Sequence, residues 1–485
     1  MAWTIVLKSH NHINFLIPLI TLEINVVEPC LAKEKMNLLF EIHLLFLLSA
    51  KKVSFVGASL YEYQPEQMHL SFGETVRDLV VTWTTNQRTN ASICKYGRNA
   101  VESTKVNPES PRLFIKYIHR VTLKNLKENT CYKYYCGSDL GWSRKYWFCV
   151  PQKNENWSPS LAIYGDMGLT YAYSLPYLSD DVQNRMYNAV IHNGDFAYNL
   201  ESEDGERGDL FMKQIENIAA YVPYMVNFSH YRKRFAMPGE SEGLYYSFNL
   251  GPVHFVAFST EVYFYLQFGY EPYCNQYSWL ENELRESNRP ENRENRPWLI
   301  TYGHRPMYCS NDNINECSIK ENVIRTGDPN KDLLGLEELF YNYGVDVEIW
   351  SHEHSYERSW PLYNYTVLNG SLTEPYRNPR APVHIITGAA GNIESQDSFS
   401  GDLPEWSAFR SQVSYVHNNF VPKSTLSLQK PSSLRKRKHK ETVDTSIWTE
   451  YTEVRVHLLQ LLNLSQQWSK TERTSWIYMQ TSETN

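Results

Sequence analysis

The sequence predicts a multidomain protein of the mixed α+β and α/β class, in which a β-sandwich precedes a domain of alternating strands and helices. Two observations predict this. Residues 65–149 contain short segments in which apolar and polar residues alternate, with turn residues between them. After residue 160, short apolar runs that end in Gly or Ser followed by Asp or His alternate with segments of helical spacing. At 485 residues the chain is long enough for two or three domains.

Composition and charge indicate a protein with a sizeable hydrophobic core and give no sign of a nucleic-acid-binding protein. With 42% hydrophobic and 14% aromatic residues, the chain can bury a sizeable core. Its net charge of −7 gives no reason to expect nucleic acid as a partner. The eight cysteines include no Cys-x-x-Cys pair.

An apolar run that begins at Met36 has the length of a signal peptide and ends in small residues near Ala50. We therefore expect residues 36–52 to be a signal peptide and residues 1–35 to precede the true start. A buried amphipathic helix is the alternative. Neither this run nor residues 14–27 form the uninterrupted stretch of ~20 apolar residues that a membrane helix requires, so no stable membrane span is expected.

Six Asn-x-Ser/Thr sequons would accept glycans if the chain enters the secretory path. They are at Asn90, Asn156, Asn227, Asn364, Asn369 and Asn463. Together with the expected signal peptide, they predict a secreted or lysosomal glycoprotein.

The expected domains follow the patterns along the chain. Residues 62–152 predict a fibronectin III-like β-sandwich, and Cys131, Cys136 and Cys149 could pair there in a connectivity that sequence leaves open. Residues 158–411 form the α/β domain. Residues 412–485 are polar with a basic run at 435–440, which predicts a disordered tail; a localisation signal is the alternative for that run.

Polar side chains follow four apolar strands of the α/β domain. In open α/β sheets, chemistry collects beyond the carboxyl ends of the strands, so these side chains predict a site. The candidates are Asp166, Asp195, Tyr198, His304, His352 and His354. This set of oxygens and imidazoles suits iron, zinc or manganese, and it excludes a thiolate zinc finger.

Each motif by itself is weak evidence, because Gly-Asp after a strand is a common turn and a single strand-end His is more often a hydrogen-bonded core residue. The ordered combination indicates a two-metal site, in which two ions about 3.5 to 4 Å apart clamp a phosphate and acidify a water. Such a pair needs a bridging carboxylate, and Asp195, at a strand end in a tight Gly turn, has a suitable position. His352 and His354 are two residues apart, so they lie on one side of an extended segment.

These motifs resemble those of the purple acid phosphatases of the metallophosphoesterase superfamily. The matching segments are GDMG at 165–168, GDFAY at 194–198, YGHRPMY at 302–308 and SHEH at 351–354, with Ser351 in place of a family Gly. The resemblance spans about residues 65–411 and implies that the second domain is a metallophosphoesterase αββα sandwich.

The resemblance also implies a metal assignment and an activity. Asp166, Tyr198 and His354 would hold Fe³⁺, and Asp195 would bridge the two metals. His304 and His352 would hold a second divalent ion, Zn, Fe or Mn. The expected activity is that of an acid phosphatase, a hydrolase that attacks phosphate monoesters with a metal-bound hydroxide.

One family motif, which supplies an Asn ligand and a phosphate-contacting His, is missing after Val226. Asn227 and His230 have the wrong spacing to replace it, so the catalytic residues are unknown and impaired activity is expected. The alternative is a catalytically inactive secreted binding or structural glycoprotein of the same fold. A nucleic-acid phosphodiesterase fits less well, because Tyr198 and the sandwich are typical of the purple subgroup.

Overall fold

The structure is a computed structural model that describes residues 61–97, 102–106, 112–113, 116–154, 157–226, 234–313, 316–411, 423–431 and 451–459. The elements below lie in the unit Tyr63–Asn485. Residues 1–35 and the expected signal peptide at residues 36–52 fall outside the described residues, as do the sequons at Asn156, Asn227 and Asn463. Among the helices that are described, none is long and apolar enough to cross a membrane.

The N-terminal domain is a β-sandwich, as the alternating segments predicted. One sheet has the strand order β1-β2-β6-β5, and the other has the order β4-β3-β7-β8 with β9 also paired to β7. The strands are β1 Glu66–Phe72, β2 Leu79–Thr85, β3 Ser92–Gly97, β4 Glu102–Val106, β5 Arg112–Leu113, β6 Lys116–Leu123, β7 Thr130–Ser138, β8 Gly141–Trp142 and β9 Tyr146–Val150.

Two disulfides join strands of the second sheet of the sandwich. Cys94 on β3 pairs with Cys136 on β7, and Cys131 on β7 pairs with Cys149 on β9. Both pairs lie directly opposite each other in antiparallel ladders. The structure therefore supplies the connectivity that the sequence left open, and it adds Cys94 to the paired cysteines.

The second domain contains two sheets that face each other. The strand orders are β14-β12-β10-β27-β26 and β15-β16-β17-β20-β24-β21-β25. The longer strands are β10 Ser160–Tyr164, β12 Ala189–His192, β14 Tyr224–Val226, β15 Tyr246–Leu250, β16 Val253–Ala257, β17 Trp298–Tyr302, β20 Val347–Trp350, β21 Tyr356–Ser359, β24 Val383–Thr387, β25 Ser407–Ser411, β26 Lys423–Pro431 and β27 Tyr451–Leu459. Short ladders are formed by β11 Met167–Gly168, β13 Phe196–Ala197, β18 Gly327–Asp328, β19 Leu333–Leu334, β22 Leu362–Tyr363 and β23 Thr366–Val367.

Helices cover the outer faces of both sheets. They are α1 Leu175–Gln183, α2 Glu206–Ala219, α3 Glu271–Ser287, α4 Pro290–Asn295, α5 Val323–Thr326 and α6 Glu337–Asn342. One core lies between the sheets and includes Ile163 and Ile300. Phe211 of α2 packs in the core outside the first sheet, and Leu280 of α3 packs in the core outside the second. This layering confirms the expected αββα sandwich.

The expectation of a disordered tail is wrong for two segments. Within residues 412–485, β26 and β27 are antiparallel strands, and β27 continues the first sheet by pairing in parallel with β10. An unpaired edge of β10 would expose a row of N–H and C=O groups, and β27 satisfies them. The basic run at 435–440 and the other residues after Ser411 are outside the described part of the chain.

Glu216 on α2 joins the sandwich to the second domain. Its Oε1 accepts a hydrogen bond from the Tyr146 hydroxyl at 2.6 Å, and its Oε2 accepts one from the Met68 N–H at 3.3 Å. The Tyr134 hydroxyl donates to the carbonyl of Ala220, just after α2, at 2.7 Å. The end of α2 is therefore one polar connection between the domains, within a largely apolar contact.

We expect Glu216→Ala to lower the free energy of unfolding by about 2 kcal/mol, because it leaves two buried donors unpaired. Urea unfolding followed by circular dichroism measures this loss. Glu206→Ala, at an exposed position in the first turn of the same helix, should cost less than about 1 kcal/mol. Equal losses in the two variants would contradict the role of Glu216.

Candidate metal centre

The six predicted ligands follow four parallel strands whose carboxyl ends meet at one edge of the two sheets. Asp166 follows β10, and Asp195 and Tyr198 follow β12, its parallel neighbour. His304 follows β17 and His352 follows β20, which pair in parallel in the second sheet. His354 lies two residues beyond His352. The structure therefore brings all six residues to one site.

One half of the site consists of Asp195, His304 and His352. One potential ligand atom from each lies within 4.8 Å of the others. His304 Nε2 is 3.4 Å from Asp195 Oδ1, and the two imidazole rings are 5.1 Å apart. A carboxylate and two imidazoles at this spacing fit a borderline divalent ion.

The other half consists of Asp166, Tyr198 and His354. His354 Nε2 is 3.4 Å from Asp166 Oδ1 and 3.0 Å from the Tyr198 hydroxyl oxygen. Asp166 is fully buried, and its Oδ1 makes no hydrogen bond within the described residues. A buried oxygen without a hydrogen bond costs about 1–3 kcal/mol, which a bound cation would offset. The phenol and carboxylate suit a hard trivalent ion.

The backbone is strained at four of the ligand positions. φ is 60° at Asp166, 46° at Asp195, 51° at Tyr198 and 67° at His352. Such left-handed conformations cost roughly 1–2 kcal/mol for residues with a Cβ. Sharp turns of this kind turn each side chain from its strand end into the site, and strain of this type is concentrated at functional sites.

Backbone carbonyls orient two of the histidines. His304 Nδ1 lies 3.1 Å from the carbonyl oxygen of Asn193, and His354 Nδ1 lies 2.9 Å from that of Ser395. A carbonyl only accepts, so Nδ1 carries a proton and donates in both cases. This leaves each Nε2 directed at a carboxylate of the site, as in metal-bound histidines.

Burial and neighbouring charges shift the pKa values of three of the site residues. Burial opposes a charged His304, but Asp195 overrides this and raises the pKa of His304 to about 10. Burial likewise opposes a charged His354, yet Asp166 raises its pKa to about 9. Burial raises the pKa of Asp166 to about 6. A metal that binds to the imidazole Nε2 atoms must therefore displace protons near neutral pH.

A cleft of about 420 Å³ opens beside the two histidines of the SHEH segment. Its rim is acidic, because Asp312, Glu394 and Asp397 line it. The sequence analysis missed these residues, and no local pattern could have found them. Arg305, Glu261 and Glu316, which form a cluster against His352, were missed for the same reason.

The third family motif would begin at this same edge. β14 ends at Val226, which pairs with His192 at the end of β12, three residues before Asp195. Residues 227–233, including Asn227 and His230, are outside the described residues. The loop that we expect to lack this Asn and His therefore follows the strand that pairs with the end of β12, next to Asp195.

Three family models match the chain. They are the purple acid phosphatase N-terminal domain at residues 65–150, the calcineurin-like phosphoesterase at 159–356 and the iron/zinc purple acid phosphatase-like protein C at 381–435. Acid phosphatase type 7 of Danio rerio is 46% identical over 392 residues, which cover 76% of this chain and 88% of the relative. The chain belongs to the purple acid phosphatase family. The family and the fold that the sequence predicted are thereby confirmed.

Other relatives agree with this family, and one solved structure shares the fold. Acid phosphatase type 7 of Mus musculus is 47% identical, covering 73% of this chain and 84% of that protein. The Fe(3+)-Zn(2+) purple acid phosphatase 12 of Arabidopsis thaliana is 28% identical, covering 73% and 77%. The purple acid phosphatase from yellow lupin seeds aligns with a TM-score of 0.60 at 23% identity, covering 81% of this chain and 75% of that one. The C-terminal family model reaches residue 435 and so includes part of the segment that was expected to be a divergent tail.

Gly194 must be a glycine for the site to form. Its φ is +92°, and a Cβ there would collide with the ring of His304. We expect Gly194→Ala to displace His304 and to reduce the zinc bound by Asp195, His304 and His352 roughly tenfold or more. Metal analysis after dialysis measures this loss. Gly239→Ala is the matched control, because Gly239 also has a positive φ of +78° but faces open space. Similar metal loss in both variants would show that backbone strain alone is responsible.

Proposed function

We propose that this purple acid phosphatase family member hydrolyses phosphate monoesters at a binuclear centre of Fe³⁺ and a divalent ion, Zn, Fe or Mn. The observation that carries the proposal is the convergence of six ligands as two half-sites at one strand edge, with Asp195 beside both. The relative from Arabidopsis thaliana, whose name includes Fe(3+) and Zn(2+), supports this pair of metals.

Each of the six site residues has a proposed role in holding the two metals. Asp166, Tyr198 and His354 would hold Fe³⁺, and His304 and His352 would hold the divalent ion. Asp195 would bridge the two, since it contacts His304 and directly follows Gly194, whose carbonyl accepts a hydrogen bond from the Asp166 N–H at 3.2 Å. When bound, such a pair supplies an activated water and neutralises charge on the phosphate oxygens. The open cleft beside His352 and His354 gives the ester access.

The same proposal includes impaired turnover. The chain lacks the family Asn that would complete the second metal and the His that would contact the phosphate. A residue that donates a proton or a hydrogen bond in the transition state contributes typically ~10²–10⁴-fold in rate. The iron half does not depend on this motif, because its ligands Asp166, Tyr198 and His354 are all present.

We expect the chain as written to hydrolyse p-nitrophenyl phosphate at least ~10²-fold more slowly than the same chain with Pro-Gly-Asn-His-Glu inserted between Val226 and Asn227. Both proteins should bind iron and absorb visible light through Tyr198. Initial rates at acidic pH, with both metals supplied and metal content measured, test this.

The matched control carries Pro-Gly-Ala-Ala-Glu at the same place, which restores loop length without the Asn and His. It should remain as slow as the chain without an insertion. Rapid turnover by the chain as written would refute the impairment. Absence of turnover after repair, with both metals bound, would favour the alternative of an inactive binding or structural glycoprotein.

We also propose that the chain is secreted or lysosomal. Support comes from its disulfides, which form in oxidising compartments, including Cys309–Cys317 in the second domain. The sequon residues Asn90 and Asn364 are exposed, as glycan acceptors must be. Expression in secretory cells should give a product in the medium or lysosome whose mass falls on glycosidase treatment. A cytosolic product with no such mass change would contradict the proposal.

A further inference from the structure

One face of the second sheet of the sandwich carries basic and aromatic side chains and points away from the core. In β3, β7 and β9, buried residues such as Tyr134 and Phe148 alternate with residues that are half-buried or exposed. Because side chains alternate along a strand, the less buried residues share the outer face. We call six residues at this outer side the basic-aromatic face: Lys95, Lys133, Tyr135, Trp142, Lys145 and Trp147.

The strand register brings these side chains together in pairs. Lys95 lies directly opposite Tyr135, and its Nζ is 4.3 Å from the centroid of the Trp142 ring. Lys133 lies directly opposite Trp147. The rings of Tyr135 and Trp142 are 5.4 Å apart in an edge-to-face arrangement. Cations and aromatic rings are therefore neighbours on one surface of the sheet.

The positive charge of the basic-aromatic face is not neutralised by the strands that carry it. At the outward positions of β3, β7, β8 and β9, the structure describes lysines but no carboxylate. Lys133 and Lys145 are exposed, and neither forms an ion pair with any residue that the structure describes. Arg185 of the second domain lies 4.8 Å from the ring centroid of Trp147 and extends the positive charge at one edge. Because the whole chain has a net charge of −7, the field at this face is opposite in sign to that of the molecule.

We propose that the basic-aromatic face binds sulfated glycosaminoglycans. The sulfates of such a glycan carry the negative charge that exposed lysines attract, and its sugar rings have apolar C–H faces that pack against aromatic rings. The rings of Trp142 and Trp147 are half-buried, so they suit a linear chain that lies across the strands rather than insertion into a lipid bilayer. This binding goes beyond the proposed phosphatase function and does not depend on it, whereas the proposed secretion would bring the protein to such glycans.

Binding of a size-defined heparin oligosaccharide to the full chain, measured by biolayer interferometry at several sodium chloride concentrations, tests the proposal. We expect Lys133→Ala/Lys145→Ala to weaken binding roughly tenfold and to make it less dependent on salt, because fewer counterions are released when fewer lysines contact the polyanion. Trp147→Leu should weaken binding without changing the salt dependence, since it removes stacking area but no charge. Lys124→Ala/Lys320→Ala removes two exposed lysines outside the face and is the matched control.

Desulfated heparin, double-stranded DNA of matched length and vesicles that contain phosphatidylserine distinguish a sulfated glycan from other polyanions. The sulfated oligosaccharide should bind more tightly than any of these three probes. Equal or tighter binding of one of them, or no binding of heparin by the unvaried chain, would overturn the proposal. So would unchanged affinity in Lys133→Ala/Lys145→Ala, or an equal loss in the control variant. Circular dichroism checks that each variant is folded, and none of these measurements uses bound metal or phosphatase activity.

Discussion

The left-handed backbone at the ends of β10, β12 and β20 is the constraint on which the metal centre depends. Asp166, Asp195 and His352 adopt it despite having side chains. Such conformations persist only where the surroundings leave no alternative. Here glycines permit the required close approaches: Gly194 lies against His304, and Gly388 lies against Asp166. The tightly packed sheets beneath the site supply the stability that maintains this strain.

The same close packing explains how the protein accommodates Ser351 where the family pattern has glycine. Ser351 is fully buried, and its N–H donates to the carbonyl of His304 at 2.8 Å. Its side chain lies where a Cβ on Gly165 would be, so the space that a second small residue leaves is filled. Ser351 therefore fills space between the ends of β10 and β20, next to His352 and to the turn that carries Asp166.

The sequence predicted which candidate ligands the structure brings together, but not the groups that contact their rings, and the reason is physical. A ligand such as His304 follows its own strand, so a local pattern marks it and the parallel register then places it. Its partner Asn193 is 111 residues away and acts through a backbone carbonyl, which has no sequence signature. Arg305, which donates to His352 Nε2, is 47 residues from that histidine. The same limit applies to β27. Its residues 455–458 pair with residues of β10 that lie 295 positions earlier in the chain, and its strand pattern lies within a polar, basic segment.

The two halves of the site differ in how they depend on the edge of the first sheet. β14 is the edge strand, and it keeps its full pairing with β12, from Val190 opposite Tyr224 to His192 opposite Val226. Because that ladder ends where the family motif would begin, the chain can lose the motif without losing a strand pair or a core side chain. Strands and packed helices provide most of the stability of such a domain, whereas the functional residues are on the loops that follow them. A change confined to the loop after Val226 would therefore spare folding and the half of the site with Asp166, Tyr198 and His354, and would affect the half that His304 and His352 share with Asp195.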